Sequence, residues 1–213
     1  MAGLHNRKVM VCFMVCALLL AGCGVAKVPE TVEVTSLVID KEGAVTSHIV
    51  GVFDRQFHSV DKLKKMAQEE VAAYNTANQT GNVSPVTLER VESLAGNDGS
   101  VIVTYLFDGA QTYEKYNGNS FFYGTVEEAG QDGYHFDKMN QVLYDTKGDK
   151  SIVSADISSM MKKHVIILSE QTRVYAPYKV AYISESAKTL EDGSIDTTGV
   201  SEEEYPVIIV LDK

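Results

Sequence analysis

The sequence predicts an α+β fold, with antiparallel β-hairpins packed against one long amphipathic helix and a short helix, and a β-rich C-terminal portion. Two observations predict it. Runs with apolar and polar residues in alternation, typical of strands, occur in pairs around glycine-containing turns. One long stretch instead repeats apolar residues at spacings of three and four, as an amphipathic helix does. The order hairpin, helix, hairpin argues against a doubly wound parallel sheet.

The first hairpin is predicted over residues 32–54. Its arms are residues 32–39 and 44–53, and the Asp-Lys-Glu-Gly sequence between them favours a turn in which Gly43 adopts positive φ. A calcium-binding loop is a poor interpretation of this turn, because Lys41 interrupts it and no series of ligands follows.

The long helix is predicted over residues 59–78. Ser59 or Asp61 can cap its start. One stripe of the helix carries its apolar residues, which are Leu63, Met66, Ala67, Val71 and Tyr74. We therefore expect the helix to cover one face of a sheet.

A second hairpin is predicted over residues 86–107, around the turn sequence Gly-Asn-Asp-Gly at 96–99. Residues 110–133 are predicted to be short helix and loop, with Thr125 capping a helix that starts at Val126. Many aromatic residues crowd this region.

The C-terminal portion is predicted to be β-rich, with strands within residues 164–168, 173–184 and 206–211 and a loop or weak hairpin over 188–204. Residues 31–213 are expected to form a single α+β domain. The polar stretch 137–150 could place a subdomain boundary near residues 140–150.

The N-terminus has the parts of a bacterial lipoprotein signal. Arg7 and Lys8 precede an apolar stretch of about 12 residues, which is too short to span a membrane. Leu20-Ala21-Gly22-Cys23 then fits cleavage before a cysteine that receives lipid. We therefore predict a removed signal peptide over residues 1–22, lipidation of Cys23, and a lipidated tether over residues 23–30.

This signal predicts a location at the cell membrane, lipid-anchored and facing the extracytoplasmic side, with the membrane as a partner through the lipid. Cleavage removes Arg7, Lys8 and no acidic residue, so the formal net charge changes from −10 to −12. An acidic chain without a basic stripe argues against nucleic acid as a partner. Since Cys12 and Cys16 leave with the signal and lipid occupies Cys23, no disulfide or thiol chemistry is expected.

Several segments carry a resemblance to uncharacterised cell-surface lipoproteins of Clostridia-type Gram-positive bacteria. They span most of the mature chain and comprise residues 38–43, 52–54, 71–75, 113–117, 122–129 and 177–184. The resemblance implies an anchored surface lipoprotein and carries over a role for Cys23 alone. None of the segments is a catalytic signature.

No motif of the sequence predicts a catalytic residue, a metal ligand or a cofactor. His135, between Asp132 and Asp137, forms the only local cluster of a histidine with carboxylates. The cluster could bind a metal ion if the segment folded tightly, but an ordinary polar loop explains it equally well. The aromatic residues either fill a core between a short helix and the sheet, which we favour, or form a recognition surface; the candidate residues for that surface are Tyr113, Tyr116, Phe122 and Tyr123.

Two functions are therefore open. The first is a non-enzymatic binding or structural component of the envelope, whose partner would be an envelope protein, a peptide or a glycan. The alternative is an envelope hydrolase with a site assembled from residues distant in sequence.

Overall fold

The computed structural model describes residues 25–52, 59–79, 81, 83–94 and 99–213. These residues form an α+β fold rich in antiparallel strands, which confirms the predicted class. Cys23 and residues 96–98 of the predicted second turn lie outside the described residues.

The first sheet has seven strands in the order β11-β12-β9-β1-β2-β4-β3. These are β1 (Ser36–Ile39), β2 (Val45–Val52), β3 (Val86–Ser93), β4 (Ser100–Phe107), β9 (Arg173–Tyr175), β11 (Lys188–Thr189) and β12 (Ile195–Asp196). Both predicted hairpins are present, although the first strand begins at Ser36 and not at Val32. β1 and β9 pair in parallel, which the hairpin pattern did not predict.

The second sheet has six strands in the order β5-β8-β13-β10-β6-β7. These are β5 (Phe121–Thr125), β6 (Val142–Tyr144), β7 (Ser151–Val153), β8 (His164–Leu168), β10 (Val180–Ser184) and β13 (Val207–Leu211). β6 lies within the polar stretch 137–150 and pairs with both β10 and β7.

Five helices accompany the sheets among the described residues: α1 (Val60–Asn78), α2 (Ala110–Asn117), α3 (Val126–Gln131), α4 (Phe136–Met139) and α5 (Ser154–Ile157). The Ser59 side chain caps α1 by accepting from the Lys62 N–H at 3.2 Å, as predicted. Ala67 and Val71 of the predicted stripe are buried, whereas Met66 is 57% exposed, so the apolar stripe is narrower than expected.

Two groups of buried side chains hold these layers together. The larger joins the inner faces of the two sheets with α1 and α2, and includes Leu37, Tyr105 and Ile209. The smaller lies on the other face of the second sheet, beneath α3, α4 and α5, and includes Leu143 and Ile208. The second sheet is thus buried on both faces, which explains its near-continuous apolar strands.

Candidate functional site

A cleft of about 760 Å³ opens where the β1–β2 turn, α2, β5 and α3 meet. We call it the acidic cleft and define it by its lining, which is residues 41–43, 108–112, Glu114, 121–124, Glu128, Gln131, Asp132 and His164. Its volume lies within the range of small-molecule sites. Loop, strand and helix each contribute part of the wall.

Two aromatic side chains of the cleft come from neighbouring positions of β5, so they point to opposite faces of the sheet. The Phe122 ring lies 5.5 Å from the Tyr134 ring, and the Tyr123 ring lies 5.6 Å from the His164 ring, between centroids. Gly43, with φ 95°, packs against the Tyr123 ring, since a Cβ there would lie 3.5 Å from its Cδ1. The glycine turn therefore helps to hold Tyr123 in place.

Carboxylates dominate the charge of the cleft. They come from the β1–β2 turn, from α2 and the residues just before it, and from α3 and its C-cap, and are Glu42, Asp108, Glu114, Glu128 and Asp132. Lys41 is the one lysine or arginine among the lining residues. An excess of negative charge in a concave surface raises the local concentration of cations.

Glu128 also has a structural role. Its carboxylate accepts from the N–H and the hydroxyl of Thr125 at 2.7 and 2.8 Å, which completes the predicted cap of α3. The hydrogen bonds from the Thr125 backbone and side chain lower the pKa of Glu128. Its negative charge therefore persists below the pH at which an ordinary glutamate is neutralised.

His164 lies at the start of β8, on the side of the cleft near the C-terminus. Partial burial and the neighbouring Lys213 ammonium lower its pKa, so the ring is neutral at pH 7. Its Nε2 lies 3.2 Å from Lys213 Nζ. Lys213 in turn lies 4.9 Å from the centroid of the Tyr178 ring, a cation–π arrangement.

The four aromatic residues predicted as a recognition surface separate into two groups. Phe122 and Tyr123 are half-buried and line the cleft. Tyr113 is only 3% exposed, and its hydroxyl donates to Glu170 inside the domain, so it belongs to the core, as the favoured interpretation expected, and is removed from the candidate surface. The Tyr116 ring packs on the rings of Tyr74, Tyr105 and Phe107, as the core interpretation expects.

A second polar feature crosses the outer face of the seven-stranded sheet. Five residues form one row of cross-strand neighbours, in the order Arg173, Ser36, His48, Thr104 and Arg90. His48 Nδ1 lies 3.1 Å from the Thr104 hydroxyl, which also accepts from Arg90 Nε at 3.0 Å. Alternation within each strand predicts which face of the sheet these side chains occupy. Only the pairing of the strands shows that they form a row.

Among the described residues, no group of three or more histidine, cysteine or acidic side chains is arranged to hold a metal ion. His135 precedes α4 and is exposed. Sequence reasoning did not single out Asp108, Glu42 or His164 as site residues. Each comes from a segment with its own local interpretation as a turn, a loop or a strand, so no local signal could have grouped them.

Comparison with protein families, with curated proteins and with solved structures finds no match. The resemblance to surface lipoproteins therefore stays a prediction that rests on the residues alone. In the part of the chain that the structure describes, no helix has both the length and the apolar character needed to cross a membrane.

Proposed function

We propose that the protein is a lipid-anchored extracytoplasmic binding protein whose acidic cleft takes a cationic ligand. The observation that carries the proposal is the convergence of five carboxylates from separate elements beside the Phe122 and Tyr123 rings. Opposite charge increases the rate of encounter, and an aromatic face adds a favourable contact for a lysine or arginine side chain. Among the partners expected from the sequence, a cationic protein or peptide fits this cleft better than a neutral glycan.

The segment after Cys23 supports a short distance between the anchor and the domain. The Lys27 N–H donates to the Asp192 carbonyl oxygen at 3.3 Å. A Cβ on Gly193 would lie 3.3 Å from Ala26 Cα, so the two backbones are in close contact there. Part of the predicted tether therefore packs on the β11–β12 turn, and the folded part begins within a few residues of Cys23.

The anchor is tested by growing cells with a labelled fatty acid. Cys23→Ala should abolish labelling and retain the uncleaved precursor or release the chain from the membrane. Alanine replacement of Cys16, which lies inside the predicted signal, is the matched control and should leave labelling intact. Labelling of the Cys23→Ala protein at the level of the unmodified chain would contradict the anchor.

The cleft is tested by titrating fluorescent oligolysine into the full-length protein in detergent micelles. Asp108→Asn and Glu114→Gln each remove one charge from the cleft, and should weaken binding severalfold at low salt. Glu89→Gln removes an exposed charge from β3, outside the cleft, and is the matched control. Equal loss of binding in all three variants would show attraction by net charge and would contradict a specific site.

The hydrolase alternative has one observation in its favour. His164 lines the cleft with a lowered pKa, and a neutral imidazole is what a general base requires. We rank this function second, because the His164 Nε2 faces the Lys213 ammonium and not the hydroxyl of a nucleophile. Hydrolysis of a peptide or ester substrate that His164→Gln abolishes, with cationic binding unchanged, would reverse the ranking.

A further inference from the structure

The strand β5 lies at one edge of the six-stranded sheet and pairs on one side with β8. Two backbone hydrogen bonds show which of its residues face that partner. The Ser169 N–H donates to the Ser120 carbonyl oxygen at 3.0 Å, and the Val126 N–H donates to the Lys163 carbonyl oxygen at 2.9 Å. Both bonds continue the register in which Phe122 lies opposite Ile167.

In an antiparallel ladder, residues bonded to the partner strand alternate with residues whose N–H and C=O point away from it. Ser120 and Val126 are bonded toward β8, so Phe122 and Gly124 are bonded toward it as well. Phe121, Tyr123 and Thr125 therefore direct their backbone groups to the free edge.

One of these outward positions is already occupied. The Thr125 N–H donates to Glu128 Oε2 at 2.7 Å. Within the described part of the chain, the backbone groups of Phe121 and Tyr123 have no hydrogen-bond partner on the outward side. Phe121 is only 2% exposed whereas Tyr123 is half-buried, so Tyr123 is the outward residue whose backbone donor and acceptor a partner can reach.

The acidic cleft runs along this edge. Its lining contains residues 121–124 as one continuous stretch, together with the start of α2. A segment lying there would be beside Phe122 on one face of the sheet and Tyr123 on the other. An extended chain fits such an edge because its main chain supplies the complementary hydrogen bonds.

The negative charge of the cleft favours a basic segment of another protein over a second copy of this chain. The same carboxylates, with Lys41 as the one lysine or arginine of the lining, favour a basic segment. Pairing of two copies of this chain through β5 would bring two acidic clefts together, which like-charge repulsion opposes. The occupant with complementary charge is a lysine- or arginine-bearing segment of another protein.

We propose that the free edge of β5 binds an extended basic segment of another extracytoplasmic protein, which adds to the six-stranded sheet as a further strand. This inference rests on the proposed function, since it names how the acidic cleft holds its cationic ligand. Simple charge attraction does not require backbone hydrogen bonds, whereas strand addition requires them at the outward backbone groups of Tyr123.

The test compares three short synthetic peptides binding to the full-length protein in detergent micelles. The first alternates lysine and valine, the second has the same sequence with every internal amide N-methylated, and the third alternates glutamate and valine. N-methylation keeps the charge but removes the N–H groups that strand addition needs. We expect the first peptide to bind about tenfold more tightly than the second, and the third not to bind.

A variant pair tests the same edge from the protein side. Tyr123→Pro removes an N–H that points outward and keeps the bonds of its neighbours to β8, as edge strands tolerate. Tyr123→Leu removes the ring but keeps the N–H, and is the matched control. Binding of the lysine–valine peptide should be weaker in Tyr123→Pro than in Tyr123→Leu, with thermal unfolding confirming that both variants are folded.

Amide hydrogen exchange provides a readout that does not depend on a variant. Bound lysine–valine peptide should slow exchange of the Tyr123 amide about tenfold or more, while the Thr125 amide, already bonded to Glu128, changes little. Equal binding of the two lysine peptides with unchanged exchange would overturn strand addition and leave a cationic site in the cleft. Absence of binding by both lysine peptides would overturn the proposed function and strand addition together.

Discussion

The Tyr113 hydroxyl donates to both carboxylate oxygens of Glu170, at 2.9 and 2.8 Å. Tyr113 belongs to α2, and Glu170 lies in the connection between β8 and β9, so the contact joins parts of the chain that are distant in sequence. Burial is the main cause that raises the pKa of Glu170, and the hydrogen bond from Tyr113 opposes that rise. The hydrogen bond from Tyr113 therefore offsets part of the cost of burying the Glu170 carboxylate inside the domain.

Tyr113→Phe should destabilise the domain by about 1–3 kcal/mol, because the Glu170 carboxyl group loses its hydrogen-bond donor while remaining largely buried. Equilibrium urea unfolding measures the change. Tyr182→Phe, at a half-buried tyrosine of β10, is the control. Equal stability of Tyr113→Phe and Tyr182→Phe would show that the bond contributes nothing.

Glu170 should also make stability depend on pH in a defined direction. Its pKa is raised on folding, so its contribution is most favourable below the unfolded pKa and decreases as pH rises through the folded pKa. Glu170→Gln should therefore gain stability relative to the unmodified protein as pH rises above about 4.5. A constant difference between the two unfolding free energies across pH would contradict the raised pKa.

His48 should give the opposite pH dependence. Burial, with a smaller effect of Arg90, lowers its pKa. Its favourable contribution is therefore present above the unfolded pKa of about 6.5 and is lost as pH falls through the folded value. The unmodified protein should lose stability relative to His48→Asn on acidification from about pH 7.5 to about pH 5.5. His135→Asn, at an exposed histidine, is the control and should not reproduce this difference.

Local sequence patterns predicted the parts of the fold whose causes are local. The start of α1 follows from Ser59 and the spacing of the apolar residues after it, and the cap of α3 follows from Thr125 with Glu128. The turn after β1 follows from Asp40 and Gly43, because the Asp40 carboxylate accepts from the Ala44 N–H at 2.8 Å. Each of these needs no knowledge of the rest of the chain.

The cleft could not be predicted in this way, because it depends on which strands pair. β5 is a short strand that contains Gly124, and its pairing with β8 is what orients Phe122 and Tyr123. The parallel pairing of β1 with β9 likewise joins segments that are more than 130 residues apart in sequence, as the register of Ser36 with Arg173 shows. The aromatic cluster was recognised in the sequence, yet only tertiary packing separates the core rings Tyr113 and Tyr116 from those in the cleft.

The cap of α3 should contribute to stability to an extent that depends on pH. Thr125→Val removes the hydroxyl that accepts from the Glu128 N–H at 3.2 Å, and should destabilise the domain by about 0.5–2 kcal/mol. Because the lowered pKa of Glu128 depends on Thr125, the loss should be smaller at acidic pH, where Glu128 is protonated in both proteins. Urea unfolding at two pH values measures this, with Thr87→Val at an exposed position of β3 as control.

The substitution Leu143→Ala tests whether residues 137–150 separate two subdomains. It is fully buried in β6, in the same apolar group as Ile208 and Val210 of the central strand β13. Leu143→Ala should therefore lower the free energy of unfolding by about 2–5 kcal/mol and shift one cooperative transition, observed alike by tyrosine fluorescence and by circular dichroism. Val153→Ala, 49% exposed in the adjacent β7, should have a much smaller effect. Two transitions, with only one of them shifted by Leu143→Ala, would instead place a boundary in this stretch, because a separate subdomain unfolds without the strands of its neighbour.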